Sequence, residues 1–375
     1  MNLRRFKPDW IFLLAVFSLL GIGMIMIVST SSVVGLSTYN DAFFFIKRHF
    51  IFLILGLIAG LIGFVIPHTF YKKIVSWGLL LSFGLLLLTL SPLGVEIGGA
   101  KRWLDLGFFR FQPVECVKFF VVVFVAVIFD RKKNQLDQFS KSLIPMLIVC
   151  CSLFFLILLQ PDLGNIGLIA IVIFCLMFLS SIPIKYIATM VAAGIGLLTI
   201  IILKHSYQMK RVLSFLSPWD DPLGNNYHMV QSLIAIGIGG FSGVGIGESK
   251  LKYFYLPLQY SDFIFSIICE EGGFILAGIV ILLYTIILFK GYEMAKKSTH
   301  YFGFYFAFGL TLLICIQAYI NIAVVTGLIP VTGIPLTFIS FGGTSLISSL
   351  FYVGVILNIA TLQHDKQYDV MHKSS

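Results

Sequence analysis

Ten continuous apolar runs divide this chain, each close to the length a helix needs to cross a bilayer. About 20 residues, rising ~1.5 Å each, cover the ~30 Å hydrocarbon core. The runs lie at 10–28, 50–66, 75–91, 114–129, 143–159, 163–181, 186–203, 263–289, 303–328 and 340–361. They are unbroken, where barrel strands would alternate at every second residue, so helices are expected. Composition agrees, with 58% of the 375 residues hydrophobic and 11% charged; soluble domains carry about 25% charged residues. The expected fold class is an all-α polytopic membrane protein, a single membrane domain over 1–375. It has about ten transmembrane helices and a long extracytoplasmic loop, 205–262, between helices 7 and 8.

The net charge of +9 sits in short connectors between the runs. That placement reads as a topology signal and not as a nucleic-acid-binding face. Lys and Arg are in excess on the N-terminal side, which places both termini in the cytoplasm. Arg4, Arg5 and Lys7 precede the first run, which is too long for a signal-peptide core and reads as a retained helix. Cys116, Cys150, Cys151, Cys175, Cys269 and Cys315 all fall inside apolar segments. They read as packing residues, with neither a disulfide framework nor metal-ligand spacing.

Ionisable groups inside a span are costly and mark a cavity or a partner. Glu115 and Lys118 share one side of the fourth helix at i,i+3. They are either an ion pair that ties helices together or a charged pocket floor where Lys118 meets a phosphate. Arg102, Arg110 and Gln112 lead into that helix from the outer segment 94–113. Asp262 stands where the long loop meets the eighth helix, a place that also suits a first-turn acid. Glu271, nine residues on, faces the opposite side, and Glu270 is ~80° away, so neither is an obvious partner. The glycine-rich run Ile236–Gly247 lacks the strand context of a phosphate loop and reads as close packing. Ser249-x-x-Lys252 is a chance match to a penicillin-interacting motif, and Gly56-x-x-x-Gly60 offers an internal helix contact.

Taken together, four stretches resemble the SEDS family of bacterial polytopic proteins, typified by FtsW and RodA. They are Gly99–Leu104 through Phe111–Lys118, Gln160-Pro161-Asp162-Leu163-Gly164, Arg211 through Asp262 to Glu271, and Pro330–Leu336 through Ser340–Ser345. They come in family order and cover nearly the whole chain. The resemblance implies a peptidoglycan glycosyltransferase that polymerises lipid II at the outer face of the cytoplasmic membrane. On that resemblance Asp262 is the catalytic base, or alternatively holds a divalent cation, magnesium or manganese, on the pyrophosphate. No organic cofactor is implied. Arg48, Arg102, Arg110, Gln112, Lys118 and Arg211 match polar substrate-binding positions, and Glu115 would orient Lys118. The implied partners are lipid II, a class B penicillin-binding protein and other proteins of the division or elongation machinery.

The sequence departs from the family's Pro-Glu-x-His-Thr-Asp, reading Pro257-Leu258-Gln259-Tyr260-Ser261-Asp262. Asp262 is thus the one carboxylate of that stretch. The run from Gly243 to Pro257 is FtsW-like and that from Pro330 to Phe338 equally RodA-like. A septal, FtsW-like role is the leading expectation, with an elongation polymerase or a lipid II flippase as alternatives.

Overall fold

The structure, a computed structural model, describes residues 9–373 except 98, 108, 205, 223, 225, 254, 255 and 258. Arg4, Arg5, Lys7 and Leu258 therefore lie outside the described residues. All ten apolar runs are helical. They form α1 (Trp10–Tyr39), α2 (Phe44–Val65), α3 (His68–Leu90), α4 (Val114–Arg131), α5 (Phe139–Leu159), α6 (Leu163–Phe178) and α7 (Ile184–Lys204). After two helices not foreseen, α10 (Ile264–Lys296), α11 (Tyr301–Val325) and α12 (Gly343–Lys373) complete the set. Among the described residues, α1, α2, α3, α7, α10, α11 and α12 are long and apolar enough to span a bilayer.

The remaining central helix, α4, is enclosed by its neighbours. Its valines and phenylalanines are buried nearly all round, against α3, α5, α6, α11 and α12. α1 extends well past residue 28 because its hydroxyls fold back onto the helix. Thr30 Oγ1 donates to Met26 O and Ser31 Oγ to Ile27 O, at 2.8 and 2.6 Å. The helix stops at Asn40, whose left-handed backbone closes the last turn. α2 and α12 approach backbone to backbone. A Cβ on Gly354 would lie 1.9 Å from Gly60 O, so the small-residue motif is an internal helix contact.

Two stretches read as loops are ordered. Residues 94–111 form a three-stranded antiparallel sheet, β1 (Gly94–Ile97), β2 (Ala100–Asp105) and β3 (Arg110–Phe111). The 205–262 segment contains α8 (Ser206–Leu216) and α9 (Tyr227–Gly239). α9 and the glycine turn after it run alongside α10. There α10 is broken at Gly273, whose φ is 62°. The break frees backbone groups at membrane depth, and these must be paired. Val244 N donates to Glu270 O and Gly245 N to Glu271 O, while Phe274 N donates to Gly240 O. A Cβ on Gly243 would sit 2.2 Å from Glu271 O, so the run is glycine-rich because backbone meets backbone.

Glu270 and Glu271 hold the returning segment. Glu270 accepts from Ser249 Oγ at 2.5 Å and from Lys250 N at 2.9 Å. Glu271 accepts from Ser29 Oγ at 2.6 Å and pairs with Lys252 Nζ at 3.2 Å. Neither faces Asp262, and the Ser249 hydroxyl is committed to Glu270, so the S-x-x-K match carries no chemistry. Gln259 then ties the segment to α1 through Thr30 O at 2.9 Å. The segment is delivered to the start of α10 in one fixed path, which is what positions Asp262.

Candidate active site

Asp262 stands just before α10, and its backbone is clamped from two sides. Asn321 on α11 donates to Asp262 O at 2.7 Å and to Ile334 O at 2.8 Å. Ser340 Oγ donates to Ser261 O at 2.6 Å, and Phe341 N donates to Tyr260 O at 2.9 Å. The 331–341 loop and the 259–262 turn are thus tied into one edge. Gly333 faces the carboxylate with φ at 74°. A Cβ there would lie 3.8 Å from Asp262 Oδ2 and 3.9 Å from Arg102 Nη1. Any larger residue would be strained by that backbone, while its Cβ would touch both groups at ordinary van der Waals distance.

Burial pushes the Asp262 carboxyl up to about 6, with the Arg102 and then the Arg211 charge pulling the other way. Arg102 reaches the site from β2. Its guanidinium donates to Gln160 O at 3.2 Å and to Pro161 O, and lies 3.8 Å from Asp162. Asp162 caps α6 and receives Asn165 Nδ2 at 2.8 Å. The Gln160-Pro161-Asp162 stretch is therefore the mount of Arg102. Arg211, on α8, donates to Val331 O at 3.2 Å on the opposite side. Asp262 thus lies in the field of two cations, Arg102 and Arg211, with Asp162 as the second carboxylate at Arg102.

Glu115 and Lys118 lie deeper. Lys118 is 1% exposed, donating to Glu115 Oε1 at 2.5 Å and to Gln317 Oε1 at 2.9 Å. Glu115 also accepts from Ser348 Oγ at 2.8 Å. Gln317 passes the link on to Ser345 Oγ and Pro335 O at 3.0 and 3.2 Å. The pair joins α4 to α11 and α12, the helix-tying arrangement weighed from the sequence. Gln317 and Asn321 are one turn apart on α11 and hold the consecutive carbonyls Pro335 and Ile334. Through them the buried pair and the Asp262 edge share one scaffold.

The other sequence candidates come from α2, β3 and the foot of α4. Arg48 is exposed with its guanidinium 4.5 Å over the Phe44 ring. Arg110 is exposed on β3, paired in register with Asp105. Gln112 is buried at the foot of α4. The charges acting on Asp262 are those of Arg102 and Arg211. Sequence reasoning passed over Gln317 and Asn321, although two amides at i,i+4 in an apolar helix are the signal that finds them. A divalent cation on Asp262 would take its other ligands from the pyrophosphate and water. Among the described residues no three His, Cys, Asp or Glu side chains are grouped to hold a metal, and Asp262 is flanked by arginines.

A multi-pass helical fold with a carboxylate, Asp262, under the charges of two arginines at a helix start defines a membrane-embedded class with polar chemistry at its rim. The chain belongs to the FtsW/RodA/SpoVE family of cell cycle proteins, whose family model matches residues 10–365. It is 37% identical over 364 residues to stage V sporulation protein E of Bacillus subtilis, covering 96% of this chain and 99% of that one. It is 35% identical over 358 residues to an FtsW of Trichlorobacter lovleyi named a probable peptidoglycan glycosyltransferase, covering 95% and 94%. Among solved structures it resembles a chain of a peptidoglycan synthase complex that coordinates polymerization and crosslinking. The TM-score is 0.80 at 25% identity, over 95% of this chain and 98% of that chain.

Proposed function

We propose that this chain is a peptidoglycan glycosyltransferase that polymerises lipid II into glycan strands, in the septal synthesis of cell division. The observation that carries the reading is the Asp262 carboxyl, raised to about 6 by burial and held in the field of Arg102 and Arg211. Glycan extension needs a base for the acceptor hydroxyl and cations for the departing pyrophosphate. The acceptor's 4-hydroxyl attacks the anomeric carbon of the donor sugar. As the new C–O bond forms, the bond from that carbon to the pyrophosphate oxygen breaks, and undecaprenyl pyrophosphate leaves. The hydroxyl proton passes to an Asp262 carboxylate oxygen. A carboxyl near 6 is ionised at neutral pH yet more basic than a free aspartate. Arg102 and Arg211 offset the negative charge that gathers on the leaving oxygen.

The names of the FtsW relatives support this activity. The resemblance to a complex that coordinates polymerization with crosslinking supports a crosslinking partner, a class B penicillin-binding protein. The protein is a multi-pass membrane protein. The surplus of Lys and Arg opposite Asp262 supports cytoplasmic termini and a site on the outer face of the inner membrane. The test is polymer formation from purified lipid II in vesicles, with the partner's own active sites inactivated. Glycan chains support the reading. Transfer of labelled lipid II between leaflets without any polymer replaces it with a flippase.

A further inference from the structure

An aromatic ledge adjoins the Asp262 edge, and the transfer reaction makes no use of it. Three parts of the chain build it. Tyr39 ends α1, Phe44 and Phe45 begin α2, and Tyr260 and Phe341 belong to the tied edge that carries Asp262. Phe45 is buried at the centre of the group. The Tyr39, Tyr260 and Phe341 rings lie 5.7, 4.6 and 5.3 Å from it. Phe44 stacks on Tyr39 at 3.7 Å and 9°, and the Arg48 guanidinium covers Phe44 at 4.5 Å. Phe341 N donates to Tyr260 O at 2.9 Å, one of the bonds that tie the Asp262 edge together. The ledge is therefore continuous with that edge, and Tyr260 stands two residues before Asp262.

Two features select a carbohydrate. The rings pack on one another into a fixed surface, yet Tyr39 stays 50% exposed and Tyr260 half-buried. Among the described residues neither phenol hydroxyl has a hydrogen-bond partner. Burial, and then the nearby Tyr39 and Asp262 oxygens, hold the Tyr260 hydroxyl above its ordinary value, so it remains a neutral donor. A hexopyranose matches such a surface. Its ring C–H groups lie against aromatic faces, and its hydroxyls exchange hydrogen bonds with the phenol rim. An aromatic belt would keep its rings outward at the head-group level. This group instead runs inward from exposed Tyr39 through buried Phe45 to Tyr260.

We propose that the Tyr39–Tyr260 ledge is a saccharide subsite that holds sugars of the glycan strand remote from the reacting bond. The inference rests on the glycosyltransferase reading, in which two sugars meet at Asp262 while one of the substrates is a strand of many. The remote sugars take no part in bond making, so their contacts with the ledge set how long the strand stays bound between transfers. The ledge governs the number of sugars added per strand, and the proton transfer stays with Asp262.

The full chain carrying Asp262→Asn is placed in nanodiscs of neutral lipid and titrated with a lipid-free hexasaccharide of alternating N-acetylglucosamine and N-acetylmuramic acid, with binding read by saturation-transfer NMR. Tyr39→Ala should weaken binding about three- to tenfold, the scale of one aromatic contact. Tyr39→Phe, which keeps the ring, should weaken it less. Tyr39 ends a helix and makes none of the bonds that tie the Asp262 edge, so its removal tests the ledge without loosening that edge. In the chain that retains Asp262, with its partner inactivated, Tyr39→Ala should shorten the glycan strands several-fold at equal lipid II consumption. Trp77→Ala, at an exposed aromatic residue of α3, should keep wild-type affinity and strand length. Absence of saccharide binding by the Asp262→Asn chain overturns the inference, as does wild-type affinity and strand length in Tyr39→Ala. So does a weakened grip on the partner with saccharide affinity unchanged, which would make the ledge a protein interface. A wild type that makes no polymer would remove the transferase reading, while the saccharide titration decides the subsite by itself.

Discussion

Lowering the pH through 6 should switch the enzyme off, and the charge of Arg102 should set where the switch falls. With its carboxyl near 6, Asp262 is roughly nine-tenths ionised at pH 7 and roughly one-tenth at pH 5. Polymerisation under kcat/KM conditions should fall about tenfold between those values, then about tenfold per further unit. Arg102 Nη1 and Asp262 Oδ2 both lie within 4 Å of one point above Gly333, so they are no more than about 8 Å apart. At an effective dielectric of ~20 to ~40, two unit charges at that distance interact by about 1–2 kcal/mol, or roughly one pH unit. Arg102→Gln should therefore move the midpoint upward by about that amount, apart from any loss of rate, and Arg102→Lys should restore it. The assay is the initial rate of glycan formation from labelled lipid II between pH 4.5 and 8. A midpoint below 4.5, or one that Arg102→Gln leaves unmoved, would refute the assignment of Asp262 as the base.

Further outcomes follow from the same contacts. An acid with a folded value above its unfolded 3.8 gives stability at low pH that is lost as pH rises from about 4 through 6. Asp262→Asn should therefore melt later than wild type at pH 7.5, by about 1–3 kcal/mol, with the gain vanishing toward pH 4. Lys118→Met leaves Glu115 charged and buried, and should lower stability in detergent by about 3–5 kcal/mol; adding Glu115→Gln should recover part of that loss. Gly354→Ala drives a Cβ into Gly60 O on the neighbouring backbone, and should cost about 1–3 kcal/mol. An unchanged melting temperature would contradict the packing described for α2 and α12.

The apolar runs were legible as helices because lipid leaves a backbone few ways to pair its polar groups, and all ten are helical, seven of the described helices being long and apolar enough to span. What escaped was structure that composition hides. α8, α9 and the small sheet carry polar and glycine residues that read as loop. α9 and its glycine turn earn their order from the Gly273 break in α10, a contact 30 residues away in sequence. Asp262 was legible from its motif, and Arg102 and Arg211 from theirs. Arg48 and Arg110 were legible as cations but not as exposed ones, since exposure depends on which way α2 and β3 face. The Glu115–Lys118 spacing showed a pair, while its tie to α11 and α12 needed Gln317 and Ser348 brought from about 200 residues away.

In the proposed mechanism Asp262 takes the acceptor proton, while Arg102 and Arg211 bind substrate without it. The most direct measurement is a single turnover of radiolabelled lipid II on excess Asp262→Asn protein with its inactivated partner, followed for bound substrate and for released undecaprenyl pyrophosphate. The account predicts substrate bound as tightly as by wild type, with no pyrophosphate released and no chain longer than one unit. Release of pyrophosphate at the wild-type rate would show that another group is the base.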